Sequence, residues 1–285
     1  MIEIPASLRD QAKSGIVGHV RGLFNDRARG EEPVSRSSNA LFPPESEIWR
    51  VHGDVASMMV GGVAALLLQM LHPAVLAGVW DHSNFRADML GRLRRTARFI
   101  AVTTYGDRAD AEAAIARVRA IHARIAGTLP DGTPYRADDP ALLAWVHVTE
   151  AWCFLAAWQR YGSRRLTSAQ QDSYFAAFAD IGHSLGASPL PRDRRTTLDY
   201  MTAMQPQLVA DTRTREVAQL VLNQEPANPL AIPLQRFVMQ AAVDLLPPWA
   251  RQMHGLQGSP SLTRPIVTSG TRQLARTLRW AFADR

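Results

Sequence analysis

From Val55 to Leu71 the chain runs for seventeen residues without a charged side chain, and no other feature limits its folding as sharply. Seventeen residues lie at the lower edge of a membrane-spanning length. Asp54 and His72 bound the run closely, Gln69 is polar, and Gly61 and Gly62 weaken a helix in its middle. A helix apolar on all sides is what the centre of a large helical domain requires. The run is therefore read as a buried core helix, not a transmembrane one. A chain of 285 residues can bury a core large enough to surround it, and no convincing linker divides it.

The rest reads as helix after helix. Asp107 to Gly127 opens with acids and closes on a glycine, as the helix dipole and a glycine C-cap require. Asp139-Pro140 supplies an N-cap and a first-turn proline for a helix that runs to about Tyr161 and stops at Gly162. Pro130-Asp131-Gly132 is a turn between the two. Thr167 or Ser168 caps a helix to about His183, residues 186–191 form a loop, and further helices are expected near 192–205, 213–223, 229–245 and 261–282. No alternating period-two run is long enough for a strand. The expected fold is all-α, one multi-helix domain over residues 46–285. Residues 1–45, with Gly30, Pro33, several serines and Pro43-Pro44, read as a partly ordered arm.

The net charge of +6 comes almost entirely from arginine, since Lys13 is the only lysine. The arginines are spread along the chain instead of clustering with aromatics on one face, which argues against a nucleic-acid binder. Weak contact with an acidic membrane surface stays open. Cys153 stands alone between Trp152 and Phe154, so an intrachain disulfide and a zinc site built on several thiolates are excluded. Its apolar neighbours make it a buried small residue. The first ten residues have no apolar core of signal-peptide length, and a cytoplasmic location is expected.

Two histidines interrupt apolar helical stripes. Ile115, Val118, Ile121, His122 and Ile125 follow the three-to-four spacing of a buried face, and Leu143, His147, Ala151, Phe154 and Trp158 form another. A buried imidazole needs a partner, because an unsatisfied ring nitrogen costs about 1–3 kcal/mol. A backbone carbonyl, an ordered water and a metal all meet that need.

Two long stretches carry a resemblance. One holds Gly53-Asp54, Leu66 to Gln69, His72-Pro73, Gly78, Asp81-His82-Ser83-x-Phe85 and Arg92-Leu93-x-x-Thr96; the other runs from Asp131-Gly132 through Pro134-Tyr135 and Asp139-Pro140 to Trp145-Val146-His147. Together they resemble the mpaB and rubber-oxygenase catalytic domain, strongly over about residues 53–191 and weakly elsewhere. The resemblance implies a globin-like helical core and b-type haem. In the latex clearing proteins such a core uses dioxygen to cleave carbon–carbon double bonds in polyisoprene, and the mpaB branch, membrane-bound, cleaves a prenyl chain.

Carried over by motif, the resemblance makes His122 the proximal ligand of the iron, with His147 the alternative candidate for holding the cofactor. A neutral imidazole on an apolar helix suits that task. It assigns Arg92 and Thr96 to the cofactor edge and the catalytic side, the arginine fork suited to a propionate and the hydroxyl to a small oxygen ligand or water. His72 and His82 sit beside helix ends and either cap backbone groups or line the pocket. Two departures stand out. Arg95 occupies the place of a lysine that approaches the iron in the rubber-oxygenase branch, and a guanidinium has no free lone pair to offer. Val75 to Val79 is apolar where that branch has a glutamate base, and Asp81 and Asp88 are the nearest acids. The expected function is a haem-dependent oxygenase acting with dioxygen on an apolar, in one reading isoprenoid, small molecule. A haem peroxidase or peroxygenase and a non-enzymatic haem- or ligand-binding protein are the alternatives.

Overall fold

The structure, a computed structural model, describes residues 6–25, 30–224 and 232–283. Thirteen α-helices, a 3₁₀ turn at Gln205–Gln207 and one two-stranded hairpin account for the regular structure among them, so the fold is all-α.

The uncharged run forms α3 (Val55–Gln69). Asp54 starts it, its side chain accepting from the Ser57 N–H at 2.8 Å, and pairs with Arg279 near the other end of the chain. Leu67 and Leu68 are fully buried. The longest partner of α3 is α7 (Pro140–Tyr161). Asp139 caps α7 by accepting from the Ala141 and Leu142 N–H groups, Pro140 opens it, and Gly162 ends it, as its sequence requires. Trp145 and Tyr161 on α7 are fully buried. By length and composition α7 could cross a bilayer, but two thirds of its apolar window (67%) is buried inside the fold.

The approach of α3 to α7 depends on Gly61. A Cβ there would lie 2.9 Å from the Cys153 carbonyl oxygen and 2.9 Å from Phe154 Cδ1, so the glycine that weakens the isolated helix admits its neighbour. The far side of α3 packs on α11 (Ile232–Leu245) and α13 (Arg264–Phe282). The residues before Ile232 in the helix expected from 229 lie outside the described set.

A second layer is built from α2 (Glu47–His52), α5 (Met89–Tyr105), α6 (Arg108–His122) and α8 (Ser168–Leu185). Helices α5 and α6 pack on each other, α5 also on α2, and α8 on α2, α6 and α7. Within residues 1–45, α1 (Ala6–Phe24) packs along α13 and α5. Helix α4 (Pro73–His82) leaves α3 at a bend of 104°. The chain is completed by α9 (Arg194–Met204), α10 (Thr212–Leu222) and α12 (Pro248–His254).

Two expectations need correction. The helix begun at Asp107 ends at His122, with Ala123 as its C-cap, not at Gly127. Gly127 belongs instead to β1 (Ala126–Thr128), paired antiparallel with β2 (Pro134–Arg136). The Tyr135 ring presses on Gly127, where a Cβ would meet the phenolic oxygen at 2.6 Å, so this glycine serves a close approach. The hairpin escaped the sequence because three-residue strands show no readable alternation.

Gly61 and Gly62 offer a contrast. Gly61→Ala should destabilise by about 1–3 kcal/mol through overpacking against backbone. Gly62→Ala, whose Cβ meets nothing closer than Phe154 Cε1 at 3.8 Å, should be neutral or stabilise by up to about 1 kcal/mol. Denaturant unfolding of both variants checks this, and equal effects would mean that α3 and α7 do not meet at Gly61.

Candidate functional site

Polar side chains of four helices are linked through Arg92 of α5, whose charge acts on His122 of α6 and Glu150 of α7, and through Gln69 of α3, which bonds Glu150. Arg92 lies in the second turn of α5, whose N-terminus is fixed by Asp88 accepting from the Gly91 N–H at 2.8 Å. His122 is the last residue of α6. Glu150 sits in the middle of α7, and Gln69 ends α3 with its Nε2 donating to the Val146 carbonyl at 3.3 Å.

These groups act on one another. The positive charge of Arg92 favours ionised Glu150 and disfavours protonated His122, and Glu150 in turn stabilises the guanidinium. Burial is the largest influence on Glu150 and pushes its carboxyl up to about 7, against the pull of a hydrogen bond from Gln69 and the charge of Arg92. Burial also lowers the pKa of His122, with Asp138 opposing the shift. The imidazole is therefore neutral at pH 7. Its Nδ1 is buried without a hydrogen-bond partner among the described residues.

The other expected residues lie elsewhere. Thr96 is exposed, and its hydroxyl donates to the Arg92 carbonyl at 3.3 Å, so the pair does not point into one space. His147 is a core residue. Its Nε2–H donates to the Phe178 carbonyl at 2.5 Å, its ring stacks on Phe178 with centroids 4.2 Å apart, and burial pushes its pKa down to about 4. His72 precedes α4 without a side-chain cap bond, its Nδ1 buried and unpartnered. His82 is exposed. Arg95 is exposed and pairs with Asp88 at 3.4 Å. Asp81 accepts from the Tyr135 hydroxyl at 3.1 Å, so both acids nearest the Arg92 motif in sequence are engaged at the surface. The apolar stripe on α6 is also shallower than its spacing suggests: Ile115 is buried, yet Ile121 is 51% exposed.

Glu150 escaped the sequence reading, although a signal existed. It is the only charged residue between Asp139 and Arg160, in the heart of an apolar helix. A carboxyl placed there must find a polar partner or take up a proton. Behind it lies a further polar chain: His52 Nδ1 meets Thr104 Oγ1 at 2.8 Å and His52 Nε2 meets the Tyr174 hydroxyl at 3.3 Å. Burial pushes His52 down to about 3. Cys153 is buried with its pKa pushed well above the ordinary thiol value by burial, then by Glu150, which keeps it a thiol.

The family model for the catalytic domain of the ER-bound oxygenase mpaB/B' and rubber oxygenase matches residues 49–280. The chain belongs to this family. No curated protein and no solved structure matches it. The mpaB/rubber-oxygenase domain thus reaches from α2 through nearly all of α13, well beyond the stretch whose motifs are legible, and membership makes the chain an oxidoreductase of the oxygenase class.

The residues of this mpaB/rubber-oxygenase domain fit haem in one respect. No cluster of three or more histidine, cysteine, aspartate or glutamate residues able to hold a bare metal ion occurs among the described residues, whereas haem iron needs a single protein ligand on one side. His122, neutral and with a buried ring nitrogen lacking a partner, has the required chemistry. A cavity of about 470 Å³ opens beside the start of α5, lined by Phe85, Asp88, Met89 and Leu90 on one side and Glu216 and Leu220 on the other. It ends short of Arg92 and does not reach His122 or Glu150.

The buried groups set a pH dependence. Folded Glu150 keeps its proton up to about 7, while the unfolded chain releases it near 4.5, so this residue makes stability fall as pH rises between those values. His52 and His147 stay neutral in the fold down to about 3 and 4 but charge below 6.5 when unfolded, so they make stability rise with pH up to 6.5. Two groups outweigh one. Stability should rise from pH 4.5 to 6.5, and Glu150→Gln should steepen the rise and remove any decline just above it. Thermal midpoints across this range check the sign, and an unchanged slope in the variant would place Glu150 in solvent.

Proposed function

We propose that the protein is a haem-dependent oxygenase of an apolar small molecule, with His122 as the proximal ligand. The observation that carries this reading is the neutral His122 ring, its buried nitrogen unpartnered, within the field of Arg92. The family supplies the oxygenase class, and its rubber oxygenases suggest the apolar substrate.

Haem b, when bound, would supply the dioxygen chemistry. The chain's own residues have narrower tasks. His122 offers a lone pair from a neutral ring, and the charge of Asp138, whose oxygens accept from Arg136, reaches that ring. Arg92 presents a charged fork that can bind a propionate and set the orientation of the cofactor. Glu150, held near 7 by burial, can accept or release a proton close to neutral pH and takes the place of the base missing from the apolar stretch 75–79. Thr96 has no part in this reading, since its hydroxyl is turned to the Arg92 carbonyl at the exposed side of α5.

An absorbance spectrum of the purified protein tests the proposal. A Soret band should be present, and His122→Ala should lose most of it. His147→Ala should keep the haem and lose stability, because it deletes a buried hydrogen bond. Arg92→Leu should lower haem affinity by about tenfold to a hundredfold, as expected for a charge-assisted hydrogen bond contributing about 1.5–3 kcal/mol. Glu150→Gln should retain the haem but lose the pH dependence of turnover near 7. Full haem content in His122→Ala would refute the ligand assignment, and turnover driven by peroxide without oxygen uptake would refute the oxygenase.

A further inference from the structure

The last 39 residues before Asp284, from Leu245 to Ala283, contain five arginines and no acid. The fold spends two of these arginines internally. Arg279 pairs with Asp54, and Arg251 donates to the Leu246 carbonyl at 2.6 Å. Arg264, Arg272 and Arg276 are exposed. Arg264 and Arg272 donate to the carbonyls of Ser259 and Arg160, both at 3.3 Å. Arg264, Arg272 and Arg276 form no ion pair among the described residues.

The same surface carries the most exposed apolar side chains among the described residues. Leu262, in the turn before α13, is 87% exposed, and Ile266, in its first turn, is 61% exposed. Trp280 is 41% exposed at the far end of the helix, with Lys13 of α1 over its ring at 5.5 Å. Ile266, Ser269, Gln273, Arg276 and Trp280 follow helical spacing and are all exposed. They make one outward stripe about 21 Å long at 1.5 Å per residue. The opposite face of α13, with Leu274, Ala275, Leu278 and Ala281, is buried in the core.

We infer that this outer face of α13, with the turn carrying Leu262, docks on the surface of an anionic lipid bilayer. The arrangement is that of a helix lying in the interface, with cationic side chains at headgroup level and isolated apolar side chains reaching below it. A protein partner fits less well. The apolar groups stand at the two ends of the stripe with polar and cationic residues between them, whereas the centre of a protein interface is apolar and poor in charge. Each arginine near an anionic surface contributes about fivefold to partitioning, so the three together account for about a hundredfold preference over a neutral surface. The inference stands apart from the haem reading, since none of these residues belongs to that site.

Sedimentation of the full chain with vesicles tests it. The protein should bind vesicles of equal parts phosphatidylcholine and phosphatidylglycerol at low salt, release as salt is raised, and bind phosphatidylcholine alone about a hundredfold more weakly. A Leu262→Ser, Ile266→Ser double variant should bind the mixed vesicles at least tenfold more weakly. An Arg264→Gln, Arg272→Gln, Arg276→Gln triple variant should lose the distinction between the two lipids. All these positions are exposed, and an unchanged circular dichroism spectrum confirms that the variants fold. Absence of binding to mixed vesicles, or binding that neither variant weakens, overturns the inference. So does self-association of the wild type that the double variant abolishes, because the face would then join two copies of the chain. Haem content is read separately and does not enter this outcome.

Discussion

The close approach of α3 to α7 at Gly61 governs the placement of the remaining elements. Neither helix could be left at a surface: α3 has no charge and α7 a single carboxylate between its capping acid and Arg160. Burying Leu67, Leu68, Trp145 and Tyr161 contributes about 1.5–3 kcal/mol for each large side chain, and the contact forms only because a glycine stands where a methyl group would meet backbone. Once the two are paired, α11 and α13 cover one side and α2 and α8 the other. What remains is the flank occupied by α5 and α6, where Arg92 acts by its charge on both His122 and Glu150, and Gln69 bonds Glu150.

The polar residues of this flank follow from that packing. A carboxyl in the middle of α7 is drawn in with its helix, and its environment decides its charge. Gln69 and Arg92 supply partial compensation, and burial outweighs both, so the group rests near 7 instead of at the ordinary carboxyl value. The histidines separate by the same reasoning. His147 and His254 spend ring nitrogens on the carbonyls of Phe178 and Leu67, and His52 bonds Thr104 and Tyr174. His122, His72 and His254 each retain a buried Nδ1 with no partner among the described residues, and of the three only His254 bonds a carbonyl through its other nitrogen. Of the remaining two, His122 has an arginine from a facing helix within reach of its charge.

The all-α class, the buried course of residues 55–69 and the bounds of α7 were all legible in the chain, because caps, prolines and long apolar periodicity act over many residues and agree with one another. The motifs also led to the family. Short or tertiary features were not legible. The hairpin of 126–136 is too brief to show a period, and the end of α6 at His122 is set by that hairpin and not by Gly127. The spacing of Arg92 and Thr96 placed them on one face, yet a separation of four residues leaves about 40° between side chains on an ideal helix. Near the edge of a buried stripe that angle divides a half-buried arginine from an exposed threonine. Glu150 was legible as an anomaly, the one charge in an apolar helix, but its meaning depends on Arg92 and Gln69 arriving from helices remote in sequence.

Charge and apolarity are distributed with the same economy at the two ends of the molecule's organisation. In the interior the acids Asp54 and Glu150 each have an arginine, Arg279 bonded to the first and Arg92 within reach of the second by its charge. At the outer face of α13 the exposed arginines form no ion pair among the described residues, and Arg264 and Arg272 bond neutral carbonyls, so their field extends outward. The helix is amphipathic, but its outer half is not the mixed-sign surface that keeps a helix merely solvated: it is cationic, with apolar side chains at both ends. A core-facing stripe needs nothing from the opposite face except solubility, and Gln or Ser at 262 and 266 would serve solubility better than Leu and Ile. Their presence beside unpaired arginines is the physical reason to look for a surface that is anionic at its boundary and apolar beneath it.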